Sequence, residues 1–162
     1  IDFVMDVNGF KGPNSEARNG KQYDIRSFKV AKFSKGCAGT QIDGIGCVYV
    51  PPSYSPIKAG SEEMEKWDPN WKYSGHSFLD NYWAGAKKAC ADIGMSLPDK
   101  SKLESIYKAG KKDSSLGLPT DDDFWSSSED DARSAYIVDF DNGRAYYCGK
   151  IYIDLRVLCV GD

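Results

Sequence analysis

Histidine is almost missing from this chain: its 162 residues include one, His76, in the stretch SGHSFLD. With no second imidazole, and five cysteines that nowhere form a C-x-x-C pair, a zinc site lacks well-spaced ligands, and His76 has no neighbouring nucleophile to serve as a base. Long hydrophobic runs are missing too, since no stretch approaches the roughly 18 apolar residues that a membrane-spanning helix needs. So are basic runs: the net charge is -3, which argues against a nucleic-acid partner held by phosphate neutralisation. Ser126, Ser127 and Ser128 sit in no G-x-S-x-G elbow. These absences point away from an enzyme, a resident metal and a cofactor. What is present is ample core material, 41% hydrophobic and 13% aromatic residues, enough for one domain or one domain with an appendage. The cysteines read best as disulfides formed outside the cytosol.

A second absence is local. Residues 1–129 hold 30 Lys, Glu, Gln, Trp and Met, and the 33 residues from Asp130 onward hold one, Lys150, where about eight are expected at the same rate. Asp, Tyr, Arg, Ser, Ala, Ile, Gly and Cys replace them. Each of these can be written with a codon ending in a pyrimidine, and the five depleted types cannot. Randomising the adenines of codons of the form adenine, adenine, pyrimidine leaves this mark. Lys150 departs from it and is expected to be a fixed position. Within the same segment AYIVDF and RAYYC alternate apolar and polar residues on either side of Asp141-Asn142-Gly143, which predicts an antiparallel hairpin. Alternation puts Tyr136, Val138 and Phe140 on one face and Ala135, Ile137 and Asp139 on the other, one face expected to be core and the other to face outward.

At the other end, apolar alternations over residues 1–7 and 23–33 flank a Gly/Asn/Pro-rich loop, the pattern of a long-looped strand pair. D-V-N-G-F-K-G-P-N, from Asp6 to Asn14, followed by the strand around Asp24 to Val30, resembles the C-terminal sheet of bacterial type IV pilins and type II secretion pseudopilins. The resemblance implies an N-terminal hydrophobic helix that would anchor a precursor in the membrane and contact other pilin subunits, and that helix is not in this sequence. Asp6, Asn8 and Asn14 offer oxygen ligands for calcium, although turn formation accounts for them better. A local disulfide between Cys37 and Cys47 would close a glycine-rich excursion. The Pro51 to Pro56 cluster then reads as a boundary, so residues 1–55 are expected to form a pilin-like segment with its linker and 56–162 a second domain.

In that second part SEEMEKW predicts a short helical turn, with Trp67 and Trp71 as core or loop anchors. Asp80 predicts the N-cap of a helix with Trp83, Ala86, Ala89, Cys90 and Ile93 on its apolar stripe and Gly94 at its end. Ser101-Lys-Leu-Glu104 predicts a capping box for a further helix that Gly110 stops. The run DNYWAGAKKACADIGMSLPDKSKLESIY, then FWSSSE, then AYIVDF-DNG, then VLCVGD, resembles the bacterial C-type lectin-like domains. It is most similar to those fused to pilin-like segments and to the variable proteins of diversity-generating retroelements. The fold class implied is α+β: two helices packed on antiparallel strands, preceded by the pilin-like strands. The resemblance also implies a disulfide between Cys90 and Cys159, leaving Cys148 over.

It further implies a surface-displayed, bacterial, extracellular binding protein, pilus-associated, whose variable region spans about residues 130–156. Carried residue by residue, the contact positions are Asp130, Asp131, Ala132, Arg133, Ser134, Ile137, Asp139, Asp141, Arg144, Ala145, Tyr147, Cys148, Gly149, Ile151, Tyr152, Ile153, Asp154, Leu155 and Arg156. The framework between them is residues 125–129, Tyr136, Val138, Phe140, Asn142, Gly143, Tyr146, Val157, Leu158 and Cys159. Tyr147, Tyr152, Arg144 and Arg156 are of the residue types that carry most binding energy at interfaces. The ligand implied is a protein or glycan on another cell or phage. The calcium-binding combinations of sugar-binding lectins are not found, and Asp121-Asp122-Asp123 reads as a solvated acidic loop before it reads as a cation site. The competing expectation is a fixed minor pilin adhesin with one ligand. The formylglycine-generating oxidases share the fold, and they use a reactive cysteine pair that this sequence does not offer.

Overall fold

Phe124 and Trp125 are consecutive, both are fully buried, and they enter two different hydrophobic clusters. The computed structural model that shows this describes residues 36–162; the chain divides after Ala38, and the unit that follows is Gly39–Asp162. The strands expected over residues 1–7 and 23–33, with the pilin-like segment and Asp6, Asn8 and Asn14, lie outside the described residues.

The unit is α+β, with two antiparallel sheets of three strands each. One joins β1 (Thr40–Ile42), β2 (Gly46–Tyr49) and the closing strand β6 (Cys159–Gly161), in which Val48 pairs with Val160. The other is a meander of β3 (Asp123–Glu129), β4 (Ser134–Asp139) and β5 (Arg144–Gly149), with β4 in the middle. A parallel bridge between Phe124 and Arg156 brings the chain leaving β5 back along β3. The helices are α1 (Glu63–Trp67), α2 (Tyr82–Asp92) and α3 (Lys100–Lys112), with Trp71 anchoring a 3-10 turn over Trp71–Tyr73.

Because side chains alternate along a strand, the meander sends one set of residues to each helix. Trp125, Ala135 and Ile137 pack with Trp83, Ala86 and Cys90 of α2, while Phe124, Val138 and Phe140 pack with Leu103 and Ile106 of α3. Both faces of β4 are therefore covered. This corrects the expectation that one face of β4 is outward and that Ile137 lies on it: Ile137 is 5% exposed, and Ala135 beside it is fully buried, because α2 covers the face opposite α3.

The helix signals shift by a residue or two. Asn81, not Asp80, caps α2, its side chain accepting from the Ala84 N–H at 2.8 Å; Asp80 instead accepts from the Ala59 N–H and pairs with Lys58. Ile93 stands past the helix end and is half exposed. Asp99, not Ser101, caps α3, and Gly110 lies inside that helix, facing Leu118, rather than stopping it. Pro51 to Pro56 is not an edge of this unit. Tyr54 Oη donates to the Leu155 carbonyl and accepts from Trp125 Nε1, and the chain passes so close to α2 that a Cβ at Gly85 would strike the Ser55 carbonyl. Cys90 and Cys159 form a disulfide from α2 to β6, and Cys37 and Cys47 are each disulfide-bonded.

Candidate functional site

The hairpin between β4 and β5 is set by its own side chains. Asp139 Oδ1 accepts from the Asp141 N–H, Asn142 Oδ1 accepts from the Arg144 N–H, and Gly143 takes φ +76°. A Cβ on Gly143 would collide with the Tyr107 ring of α3, so the turn needs glycine for its conformation and for the close approach alike. At the opposite end, Asp131 Oδ1 accepts from the N–H groups of Arg133 and Ser134, an Asx turn that closes the connection from β3 to β4.

Lys150 ties this second turn to Asp68 and to the start of α2. Its side chain is fully buried, and Nζ donates to Asp68 Oδ2 at 2.9 Å, to Glu129 Oε2 at 2.6 Å and to the Ala132 carbonyl at 3.0 Å. The ammonium also lies 4.4 Å from the centre of the Trp83 ring, whose indole N–H donates to the Ser126 carbonyl. The Lys150 backbone donates to Arg133 O and accepts from the Tyr82 N–H at the start of α2. Asp68 takes a further bond from Asn81 Nδ2, and Asn70 Nδ2 donates to Glu129. A buried ammonium is tolerable only with such partners. Lys87 stands on the same indole, 3.7 Å from its centre; burial lowers its pKa, against the pull of Asp68 and Glu129.

The expected contact positions are spread from this hub to the opposite, hairpin end of the meander. Asp130, Asp131, Arg133, Asp141, Arg144, Tyr147, Tyr152, Ile153 and Asp154 are exposed, and Ala132, Asp139, Ala145, Cys148, Gly149, Ile151 and Arg156 are half-buried. Three are buried, contrary to their outward assignment: Ser134 in the Asx turn, Ile137 under α2, and Leu155 in the same cluster as Ile137. Among the framework residues Trp125, Ser126, Val138, Phe140, Val157, Leu158 and Cys159 are buried, whereas Tyr146 is 43% exposed. Tyr147 meets Tyr136 edge to face, and Lys100 of α3 caps the Tyr136 ring. Arg156 pairs with Asp122 and lies over Phe124.

Electrostatically the hairpin end is acidic. Partial burial, then Asp139, Asp141 and Asp122, raise the Asp123 carboxyl above its ordinary pKa. Burial likewise pushes the Cys148 thiol up, which disfavours the thiolate. Ser126 Oγ donates to the Tyr136 carbonyl, and Ser128 Oγ accepts from the Lys100 N–H, so both hydroxyls serve the fold. Among the described residues no group of three His, Cys, Asp or Glu side chains could hold a metal ion.

Sequence reasoning overlooked Asp68, Asn70 and Asn81, the partners of the hub. A partial signal existed: Lys150 is the one lysine after residue 129, which marked the position without naming its partners. It also overlooked Tyr73 and Phe78, exposed by 72% and 73% on the loop that follows Asn70.

Fold and site together define a disulfide-tied α+β domain that displays an edge strand and two turns, one of them held by a buried lysine. Residues 77–161 match the family described as a domain of unknown function (DUF8780), and the chain belongs to that family. No curated protein and no solved structure matches the chain.

Proposed function

We propose that this domain is an extracellular ligand-binding module of C-type lectin-like architecture, whose displayed residues between 130 and 156 are rewritten by adenine-directed retroelement mutagenesis. The observation that carries this reading is Lys150. Only one residue from Asp130 onward requires a codon outside the pyrimidine-ending set, and it is the one whose side chain is wholly buried and bound to two carboxylates and a carbonyl. A mutable surface would leave alone the position on which its own geometry depends. Of the nineteen expected contact positions nine are exposed and seven half-buried, and substitutions at exposed positions usually cost within about 0.5 kcal/mol. Buried Ser134, Ile137 and Leu155 join the fixed set in this account.

The architecture is supported by two helices on antiparallel strands and by the tie from the first of them to the closing strand. Display outside the cytosol is supported by the disulfides, and no described helix is long and apolar enough to cross a membrane. Pilus association rests on the resemblance of residues 6–14 and 24–30, and the ligand is a protein or glycan on another cell or phage. Sequencing the DNA around the coding region tests the reading. A near-copy of codons 130–156 is expected beside a reverse-transcriptase gene, differing only where the copy has adenine and never at Lys150, Gly143 or Phe140. No such copy, with sibling chains that share their outward residues, would leave a fixed adhesin instead.

A further inference from the structure

The phase of the β4 and β5 ladder fixes which backbone groups of β5 are spare. Lys150 N–H donates to Arg133 O, and on the other side of β4 Phe140 N–H donates to Asp122 O and Asp130 N–H to Ser134 O. In an antiparallel pair hydrogen-bonded and non-bonded positions alternate. Even-numbered residues of β4 therefore bond β3, and odd-numbered ones bond β5. By register Ala135 and Ile137 face Cys148 and Tyr146, so these β5 residues turn their amides inward. Ala145 and Tyr147 turn both N–H and C=O away from the sheet. Gly149 does the same, its carbonyl taken by the Tyr152 N–H.

Among the described residues no strand covers this edge. Nor does it carry the usual protection: β5 has no proline and no lysine, and its single charge, Arg144, stands at the end. Tyr147, 67% exposed, projects beside it, and Tyr152 stands exposed just beyond.

We infer that this edge takes an extended polypeptide segment of a protein ligand, which adds a fourth strand to the meander; this rests on the binding function proposed above. The pattern selects the ligand class. Two residues in alternate positions each offer a donor and an acceptor, separated by about 6.8 Å, and an extended peptide backbone presents the complementary pairs at the same spacing. Main-chain bonds also answer a difficulty peculiar to a mutable site. They persist whatever side chains occupy residues 144–149, so substitution redirects specificity without removing the means of attachment.

Linear peptides selected from a random phage-displayed library against the full, disulfide-intact chain supply the probe. The Ala145 and Tyr147 amides are expected to exchange rapidly with deuterium in the free chain and to become protected when a selected peptide binds. Tyr147→Pro removes an outward N–H without breaking a bond to β4 and should weaken binding by about tenfold or more, whereas Tyr147→Ala, which keeps the edge open, should cost a few-fold. Deuterium exchange on the unmodified chain decides the matter even where the proline variant fails to fold. The inference is overturned if no peptide is selected, if bound peptides leave those two amides unprotected, or if the amides are already protected in the free chain. Peptides that lose affinity in Tyr147→Ala and Tyr147→Pro alike, with the edge unprotected, would sink edge pairing and leave the displayed face standing. Peptides insensitive to every change between 144 and 156 would sink both.

Discussion

Lys150 buries its ammonium between Asp68 and Glu129, and its worth lies in what it leaves behind when removed. Asp68 is as buried as the ammonium it binds, so Lys150→Met strands a carboxylate that water cannot reach. Breaking such a pair from one side costs about 3–5 kcal/mol, and chemical denaturation should show a loss of that size. The same change at Lys88, whose pair with Asp92 is exposed on α2, should leave the unfolding midpoint almost where it is. A Lys150 variant as stable as the Lys88 one would mean that the hub is ornamental. Asp123 is the opposite case, a group the fold would be better without when charged. Its carboxyl pKa is raised by partial burial and then by Asp139, Asp141 and Asp122. A carboxyl raised on folding contributes stability that is fully present below its unfolded pKa and lost as pH rises through its folded one. At neutral pH Asp123 is therefore a liability. Asp123→Asn should melt at a higher temperature than the parent at pH 7, and the gap should shrink as acid protonates the parent. A gap that widens in acid would refute the assignment.

At the level of elements, the β4 to β5 hairpin was the most readable part of the chain, because period-two alternation and an Asn-Gly pair are local signals. Its turn hangs on one residue. Gly143→Ala forces a side chain into a left-handed conformation and against the Tyr107 ring, and should lower stability by about 1–3 kcal/mol in thermal or denaturant unfolding. A loss under about 0.5 kcal/mol would show that the turn relaxes freely. The neighbouring elements were less legible for reasons that lie outside any short window. Asp80 has the chemistry of a cap, but Ala59 and Lys58 claim it, and the cap falls to Asn81. Gly110 has the look of a stop, but Leu118 packs against it and α3 continues. Alternation shows that β4 has two faces without showing that both are covered. For that reason Ile137 read as a contact residue although α2 lies on it. The hub was half legible: composition singled out Lys150, while Asp68, 82 residues away in sequence, could be joined to it only in three dimensions.

Across the whole unit the strands that close the fold come from its two ends. β2 pairs with β6, Ser96 bridges to Val160, and the disulfide carries α2 to the same strand. The proline-rich stretch from Pro51 to Pro56 looked like a seam because composition records stiffness and says nothing of what the stiff piece packs on; the bonds of Tyr54 put it inside. This arrangement sets the terms of the last prediction. The Cys90–Cys159 bridge spans 69 residues, and cross-linking a loop of that length removes unfolded-chain entropy worth about 4 kcal/mol at 25 °C. Replacing both cysteines with alanine should therefore cost about that much in denaturant unfolding. The two cores, which Trp125, Phe124, Leu103 and Ile106 fill, should still give a cooperative transition. Replacing Cys148 by serine is the control, since that thiol is not cross-linked. If removing the bridge costs under about 1 kcal/mol, the cores alone hold β6 in place. If it abolishes the transition altogether, the frame under the displayed strand is the disulfide itself, and reduction would dismantle that strand along with the fold.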